Sequence, residues 1–354
     1  MPIEEQLQEI HRLAVLGDVA AIAQDVGPRL TQAWLATSRF REVRALSLQT
    51  LALGPHARTL VHLAGAKHIL GEVADAVDHY RTALHLYTEA CDRVGLASTL
   101  HNLGTVYHGL GDWQQALSYY YQALPIIEEV GDRADLAATL NNLGLVYNRL
   151  GNQQQALRYY HQALPITEEV DNRAGLATIF TNLGAVYESL QDWQQALRYY
   201  HQARSITEEV DNRIGLANTL NNLGVVYNHL GDWQQALRYF HQALSIREEV
   251  GARAGLANTL TNLGVVYNRL GNQQQALRYF QQALPIREEV GDRPGERATR
   301  YNLAMLYRVQ GRLAEAVAAL RQVVALDAQV RYPGLEDDQT MLCQVEQEWR
   351  ESLA

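Results

Sequence analysis

The sequence predicts an all-α protein built as an array of stacked antiparallel helix pairs, and three observations carry that expectation. The stretch GLASTLHNLGTVYHGLGDWQQALSYYYQALPIIEEVGDR, Gly95 to Arg133, returns with small changes from Asp135, Gly175, Gly215 and Gly255, at a period of 40 residues without insertion. Self-similarity at a fixed period of this length marks a stacked helical array. Inside one unit Leu100, Leu103, Gly104, Tyr107 and Leu110 form one apolar stripe at spacings of three and four, and Trp113, Ala116, Leu117, Tyr120, Ala123 and Leu124 form another. Each unit is therefore two amphipathic helices. The composition, 47% hydrophobic and 19% charged with only eight prolines, supplies a core and leaves no disordered block.

The elements follow in order. Apolar residues at Ile3, Leu7, Ile10, Leu13 and Ala14 predict a helix to Leu16, and Gly17-Asp18 restarts the chain into Val19 to Val26. Gly27-Pro28 is expected to end that helix. Leu30 to Ala36 and Phe40 to Leu53 then make a second pair, so residues 1–54 form divergent helical hairpins. Residues 55–94 align at the same offset, with Ala64 where Gly104 lies and Tyr80 where Tyr120 lies. Residues 95–294 hold five near-identical units, 295–330 a looser last one, and 331–354 a polar helix of roughly Asp337 to Ser352 that caps the array.

Turns and breaks are legible within a unit. Gly111 suits the left-handed residue that ends the first helix, and Asp112 caps the second, with Gln115 three residues on. Gln191 replaces that glycine in one unit, at a cost of about 1 kcal/mol if the geometry is kept. Pro125, Pro165 and Pro285 fall inside the second helices, where proline costs ~3 kcal/mol, so a kink or a helix end is expected there, or a plain stop.

Charge and cysteine content exclude several classes of function. A net charge of −9 and a pI near 5.7 oppose nucleic-acid binding, which needs Lys and Arg to neutralise phosphates. Cys91 and Cys343 lie far apart and read as small core residues, as expected in a reducing cytoplasm. The acidic N-terminus has no basic segment followed by an apolar run, and no stretch reaches the ~18 apolar residues of a membrane helix. A soluble, intracellular chain with no membrane partner is expected.

Leu103, Gly104, Tyr107, Ala116, Tyr120 and Ala123, repeated in five consecutive units, resemble the tetratricopeptide repeat signature. The departures are the unit length of 40 residues, and Leu100 and its equivalents where that family often has Trp. The longer unit with Asn-Leu-Gly is similar to repeats of kinesin light chains, spindle-orientation scaffolds and the sensor halves of bacterial signal-transduction ATPases. The resemblance implies a right-handed superhelical solenoid whose first helices line a concave groove for a peptide or protein. The divergent start and the ending look like segments that flank such repeats in the ATPase regulators. The chain itself contains no G-x-x-x-x-G-K-[ST] phosphate loop.

The leading site candidates are Asn102, Asn142, Asn182, Asn222, Asn262 and Asn302, one per unit just before the Leu-Gly or Leu-Ala pair. On a helix they share a face with Ser98, Thr105 and His108, beside the apolar stripe. Such a ladder either offers donors and acceptors to an extended backbone or braces the neighbouring unit. Around it vary His101, Asn141, Thr181, Asn221, Thr261 and Tyr301 on one side. His108, Asn148, Glu188, Asn228, Asn268 and Arg308 vary on the other, with Arg149, His229 and Arg269 at the rim. This makes a polar, mildly basic face, while the glutamate pairs such as Glu128-Glu129 form a solvated edge.

His161, His201 and His241 recur at one helix position, but stacked helices stand ~8–10 Å apart, too far for shared zinc ligands. No metal, cofactor or catalytic constellation is expected, so the chain reads as a non-enzymatic interaction module. Its alternatives are a sensor half of a signalling ATPase and a scaffold that self-associates through near-identical surfaces. GDWQQ at Gly111 and Gly231, and GNQQQ at Gly151 and Gly271, recur 120 residues apart, which points to copying of a three-unit block and weakens identity of the asparagines as evidence for binding.

Overall fold

A computed structural model describes residues 3–330 and 332–353, so Arg331, where the last sequence boundary falls, lies outside the described residues. Eighteen α-helices and no strands are found among the described residues. The chain divides into two compact units, residues 1–172 and 173–354. In the first, α1 (Ile3–Leu16) precedes α2 (Ala20–Ala36) with α3 (Phe40–Leu51), α4 (Ala57–Ile69) with α5 (Val73–Glu89), α6 (Arg93–Gly109) with α7 (Trp113–Val130), and α8 (Arg133–Arg149) with α9 (Gln153–Glu169). In the second, α10 (Arg173–Ser189) pairs with α11 (Trp193–Glu209), α12 (Arg213–His229) with α13 (Trp233–Glu249), α14 (Arg253–Arg269) with α15 (Gln273–Val290), and α16 (Arg293–Val309) with α17 (Leu313–Val330). α18 (Leu335–Leu353) ends the chain.

The Leu-Gly pair is explained by close helix approach. A Cβ on Gly104, Gly144, Gly184, Gly224 or Gly264 would sit 2.5 to 2.7 Å from the ring of Tyr120, Tyr160, Tyr200, Phe240 or Phe280. The aromatic ring thus lies flat on the backbone of the first helix, and adding one methyl overpacks the site. Both helices are started by side-chain caps: Asp112 accepts from the Gln115 amide at 3.1 Å and Asp132 from the Asp135 amide at 2.9 Å. Gln191 keeps the left-handed turn at φ +58. Arg93, Arg133 and Arg173, each first in its helix, pair with Glu129, Glu169 and Glu209 at 2.5, 2.6 and 2.5 Å; Arg213–Glu249 and Arg253–Glu289 continue the pattern. One glutamate of each solvated pair therefore ties the two helices of its own unit, with little stability gained at such exposure.

Four expectations are corrected. α2 runs unbroken through Gly27-Pro28. Gly27 is the crossing point, where a Cβ would lie 2.7 Å from Thr50 Oγ1 and 3.4 Å from the His11 ring, so packing on α1 and α3 holds the helix across the proline. Likewise α7, α9 and α15 pass through Pro125, Pro165 and Pro285, and α11 and α13, with Ser205 and Ser245 there, are no longer than α9. In α7 the turn beyond the proline buries Ile126 and Ile127, worth ~1.5–3 kcal/mol each, which offsets the cost of the missing bond.

Both cysteines are exposed rather than in the core: Cys91 occupies a left-handed turn, φ +54, after α5, and Cys343 lies on an exposed side of α18. In α1 the buried residues are His11 and Ala14, while Ile3, Ile10 and Leu13 are exposed, because the face that meets α3 is the one that carries the His11–Thr50 bond. At the other end α18 covers the last pair as expected. Val345 is buried, with Met341, Leu342 and Trp349, against Ala304, Ala316, Val317 and Leu320.

Candidate functional site

The asparagine face sits on the first helices, placed by the Leu and Gly positions that bury the adjoining stripe. All six ladder residues are half-buried. Their environments differ. Asn262 donates to Asn221 Oδ1 on the preceding first helix at 3.2 Å. Asn142 takes part in hydrogen bonding with Asn141 at 3.4 Å and with the Tyr120 phenol, and Asn182 is also engaged. Asn102, Asn222 and Asn302 have no hydrogen-bond partner among the described residues. Half-buried amides without an internal partner have donors and acceptors left for water or a ligand.

The flanking position of His101 proves to be a seam between neighbouring first helices. His101 Nδ1 meets Thr139 Oγ1 at 2.8 Å, Thr259 donates to Asn221 at 3.1 Å, and Thr261 and Thr299 pair at 3.3 Å. The threonines Thr139, Thr259 and Thr299 are fully buried. Burial pushes the His101 imidazole down to about 4, so it is neutral at physiological pH. In the divergent repeat His62 stands where the others have asparagine. It bonds Thr31 Oγ1 at 2.6 Å and is likewise held down to about 4 by burial, with Arg58 contributing.

On the other flank, Glu188 accepts from the Tyr200 hydroxyl at 2.8 Å, and burial raises its carboxyl pKa against the pull of His229. The His229 ring stacks on Trp193 at 4.8 Å, and His108 is tilted against Trp113 at 5.4 Å, its Nε2 buried without a partner among the described residues. Arg269 donates to Asn228 Oδ1 at 3.1 Å. Arg308 is ion-paired with Glu348 of α18, Nε to Oε2 2.9 Å. Asn148 is half-buried, while Arg149 and Asn268 are exposed. The basic character of the face is thus partly consumed within the protein.

Sequence reasoning missed the floor of the clefts between first helices. The position of Tyr87 becomes Ile127, Thr167, Thr207, Arg247 and Arg287 in successive units. Arg247 is buried and bonds only neutral acceptors, Asn218 Oδ1 at 3.0 Å, Thr259 Oγ1 at 2.5 Å and the Gly255 carbonyl; burial pushes it down to about 10. Arg287 instead has the carboxylate of Asp292. The switch from ITEEV to IREEV was the available signal. On the opposite side, the His241 position carries contacts 26 residues ahead: Tyr121 and Tyr147 hydroxyls pair at 2.7 Å, and His241 Nε2 approaches the Tyr267 hydroxyl at 3.4 Å. His161, His201 and His241 form no metal cluster among the described residues.

The tetratricopeptide repeat model matches residues 55–129, 95–169, 135–209, 175–249, 215–289 and 255–329, well over half of the chain. The chain belongs to the tetratricopeptide repeat family, whose members are protein-interaction modules and generally non-catalytic. No curated protein matches it.

Among solved structures it is similar to a signal transduction ATPase with numerous domains and a tetratricopeptide repeat sensor from Pyrococcus horikoshii (TM-score 0.71, 15% identity, 93% of this chain and 50% of that one). It is also similar to BtubC (BKLC) from P. vanneervenii (0.52, 26%, 67% and 93%) and to a Rap protein complexed with Competence and Sporulation Factor (0.64, 15%, 93% and 99%). The chain thus spans half the length of the ATPase. No helix among the described residues is long and apolar enough to cross a membrane.

Proposed function

We propose that the chain binds an extended segment of a peptide or protein along the asparagine face of the first helices within a compact unit, the second unit above all. The observation that carries this is the set of half-buried amides, Asn102, Asn222 and Asn302, that have no partner among the described residues, on the face where the other asparagines engage neighbours. An extended backbone presents alternating donors and acceptors, and each bond to such an amide is worth ~1 kcal/mol net. His108, Arg149, Glu188, Asn228, His229, Asn268 and Arg269 border the same face and would set side-chain preference. Likeness to a Rap protein in complex with a factor supports a ligand-binding role for this fold.

The test starts from a binder selected out of a random linear peptide library and mapped to this face. Replacing Asn222 and Asn302, both in the second unit, with alanine together should weaken it by about thirtyfold, two bonds at ~1 kcal/mol each, with helicity unchanged by circular dichroism. Unaltered affinity sinks the proposal. A second reading, the sensor half of a larger signalling ATPase, is favoured by a fold likeness that spans 93% of this chain and half of that ATPase. The native reading frame decides it: an adjoining nucleotide-binding domain supports the sensor role and its absence removes it.

A further inference from the structure

Between the first and second repeats lies a pocket of about 720 Å³ whose lining includes Val61, Leu86, Tyr87 and Val94, with Arg58 and His62 among its polar groups. The same cleft recurs in later repeats in closed or reduced form. With Thr178, Thr181 and Thr207 in place of Arg58, Val61 and Tyr87 it holds about 160 Å³, and one repeat after the large pocket Ile127, 1% exposed, fills the place of Tyr87. The opening follows from the chain. α3 has 12 residues where α5 has 17, so the final turns that extend other second helices are missing, and Gly54 (φ +132), Pro55 and His56 cross to α4 at the rim.

We propose that this pocket binds a small organic acid, the Arg58 guanidinium taking the carboxylate and the walls of Val61, Leu86, Tyr87 and Val94 taking the apolar body. A recess of this volume can enclose a small molecule. Arg58 is exposed and forms none of the ion pairs found among the described residues. Neither acid nearby pairs with Arg58: Asp92, in the pocket lining, caps α6 by accepting from the Gly95 amide at 2.9 Å, and Asp25 pairs with Arg29 at 3.1 Å.

His62 adds polarity of a definite sense. Thr31 donates its hydroxyl proton to the Gly27 and Pro28 carbonyls (3.1 and 3.2 Å), so His62 Nδ1–H donates to Thr31 and Nε2 is left as the acceptor. The pocket therefore favours a ligand with an anionic end, an apolar body and a hydrogen-bond donor within reach of His62. His62 and Ser98 adjoin the asparagine face, but the pocket is lined by none of the six asparagines and the peptide proposal uses neither Arg58 nor Val94, so the two can fail separately.

Calorimetric titration of the full chain with 4-phenylbutyrate and octanoate tests it, with the matching amides as controls and acetyl-Ala-Phe to represent a polypeptide terminus. At least one free acid should bind at least about tenfold more tightly than its amide, as a guanidinium–carboxylate pair requires. Arg58→Gln should bring that acid to the level of its amide, and Val94→Trp, at a position more than half exposed, should fill the pocket and abolish binding with the fold intact by circular dichroism. Equal binding of acid and amide, undiminished binding by Arg58→Gln, retention in Val94→Trp, binding of acetyl-Ala-Phe alone, or no binding of either acid at millimolar concentration would each overturn the assignment.

Discussion

The two compact units brace neighbouring helices with different chemistry. In residues 1–172 the bracing side chains are histidines: His11 to Thr50 at 2.8 Å, His62 to Thr31 at 2.6 Å and His101 to Thr139 at 2.8 Å. In residues 173–354 they are amides, hydroxyls and arginines: Asn221 with Thr259 and Asn262, Thr261 with Thr299, and Arg247 with Asn218. A seam of either kind satisfies buried polar groups equally well at neutral pH. Only the histidine seam carries groups whose unperturbed titration lies just below neutrality.

The largest expected consequence is acid sensitivity concentrated in the first unit, since burial lowers His201 and His241 in the second without bringing either to about 4. His62 and His101 are buried neutral, with pKa values of about 4 in the folded chain against about 6.5 unfolded. A depressed histidine contributes stability that is present above the unfolded value and lost as pH falls from about 6.5 towards about 4. Between pH 7 and pH 5 the first unit should lose on the order of 3 kcal/mol. Amide hydrogen exchange at both pH values should show α2, α4, α6 and α8 losing protection while α12, α14 and α16 hold. Equal loss in both units would break the comparison.

A smaller effect is expected inside the second unit. Arg287 has Asp292 as counter-ion and helix cap, whereas the corresponding cap before α14 is Ala252, with no side-chain cap, beside the buried Arg247. Ala252→Asp should stabilise this region by about 1 kcal/mol, the usual value of a restored cap, read as slower exchange at the start of α14. No gain would mean that the neutral acceptors around Arg247 already satisfy it. The smallest effect sharpens the comparison most. His101→Asn moves the Asn221 arrangement into the first unit and should change stability at pH 7 by less than ~0.5 kcal/mol, while roughly halving the loss at pH 5. If the acid response persists in full, His101 is not its source.

Much of this was legible in the sequence because the period was. Leu103, Gly104 and Tyr120 announce a close helix pair, and Gly111-Asp112 announces its turn. Those features are local, and the apolar spacing alone determines them. The continuation of helices through Pro28 and Pro125 was not legible, since burial of neighbouring residues outweighs a local cost that can be read alone. Nor was the threonine seam. Thr99, Thr139, Thr219, Thr259 and Thr299 recur in five of the six units, with Ile179 in the other, yet the partners of Thr139, Thr259 and Thr299 stand in the preceding repeat, so pairing appears only once helices are stacked. The large pocket was hidden for a further reason: it follows from turns that α3 lacks, and a missing segment leaves no residue to read.

The contact offsets have a genetic consequence. Links to the next repeat recur at fixed separations, 38 residues for His101–Thr139, Asn221–Thr259 and Thr261–Thr299, and 26 for Tyr121–Tyr147, His241–Tyr267 and Gln281–Tyr307. Inserting or deleting a whole 40-residue period at a matching point leaves every such separation intact on both sides. Unequal crossing-over within the gene would then lengthen or shorten the array without a compensating change at any interface. The same spacing that makes the units stack makes their number free to vary between generations.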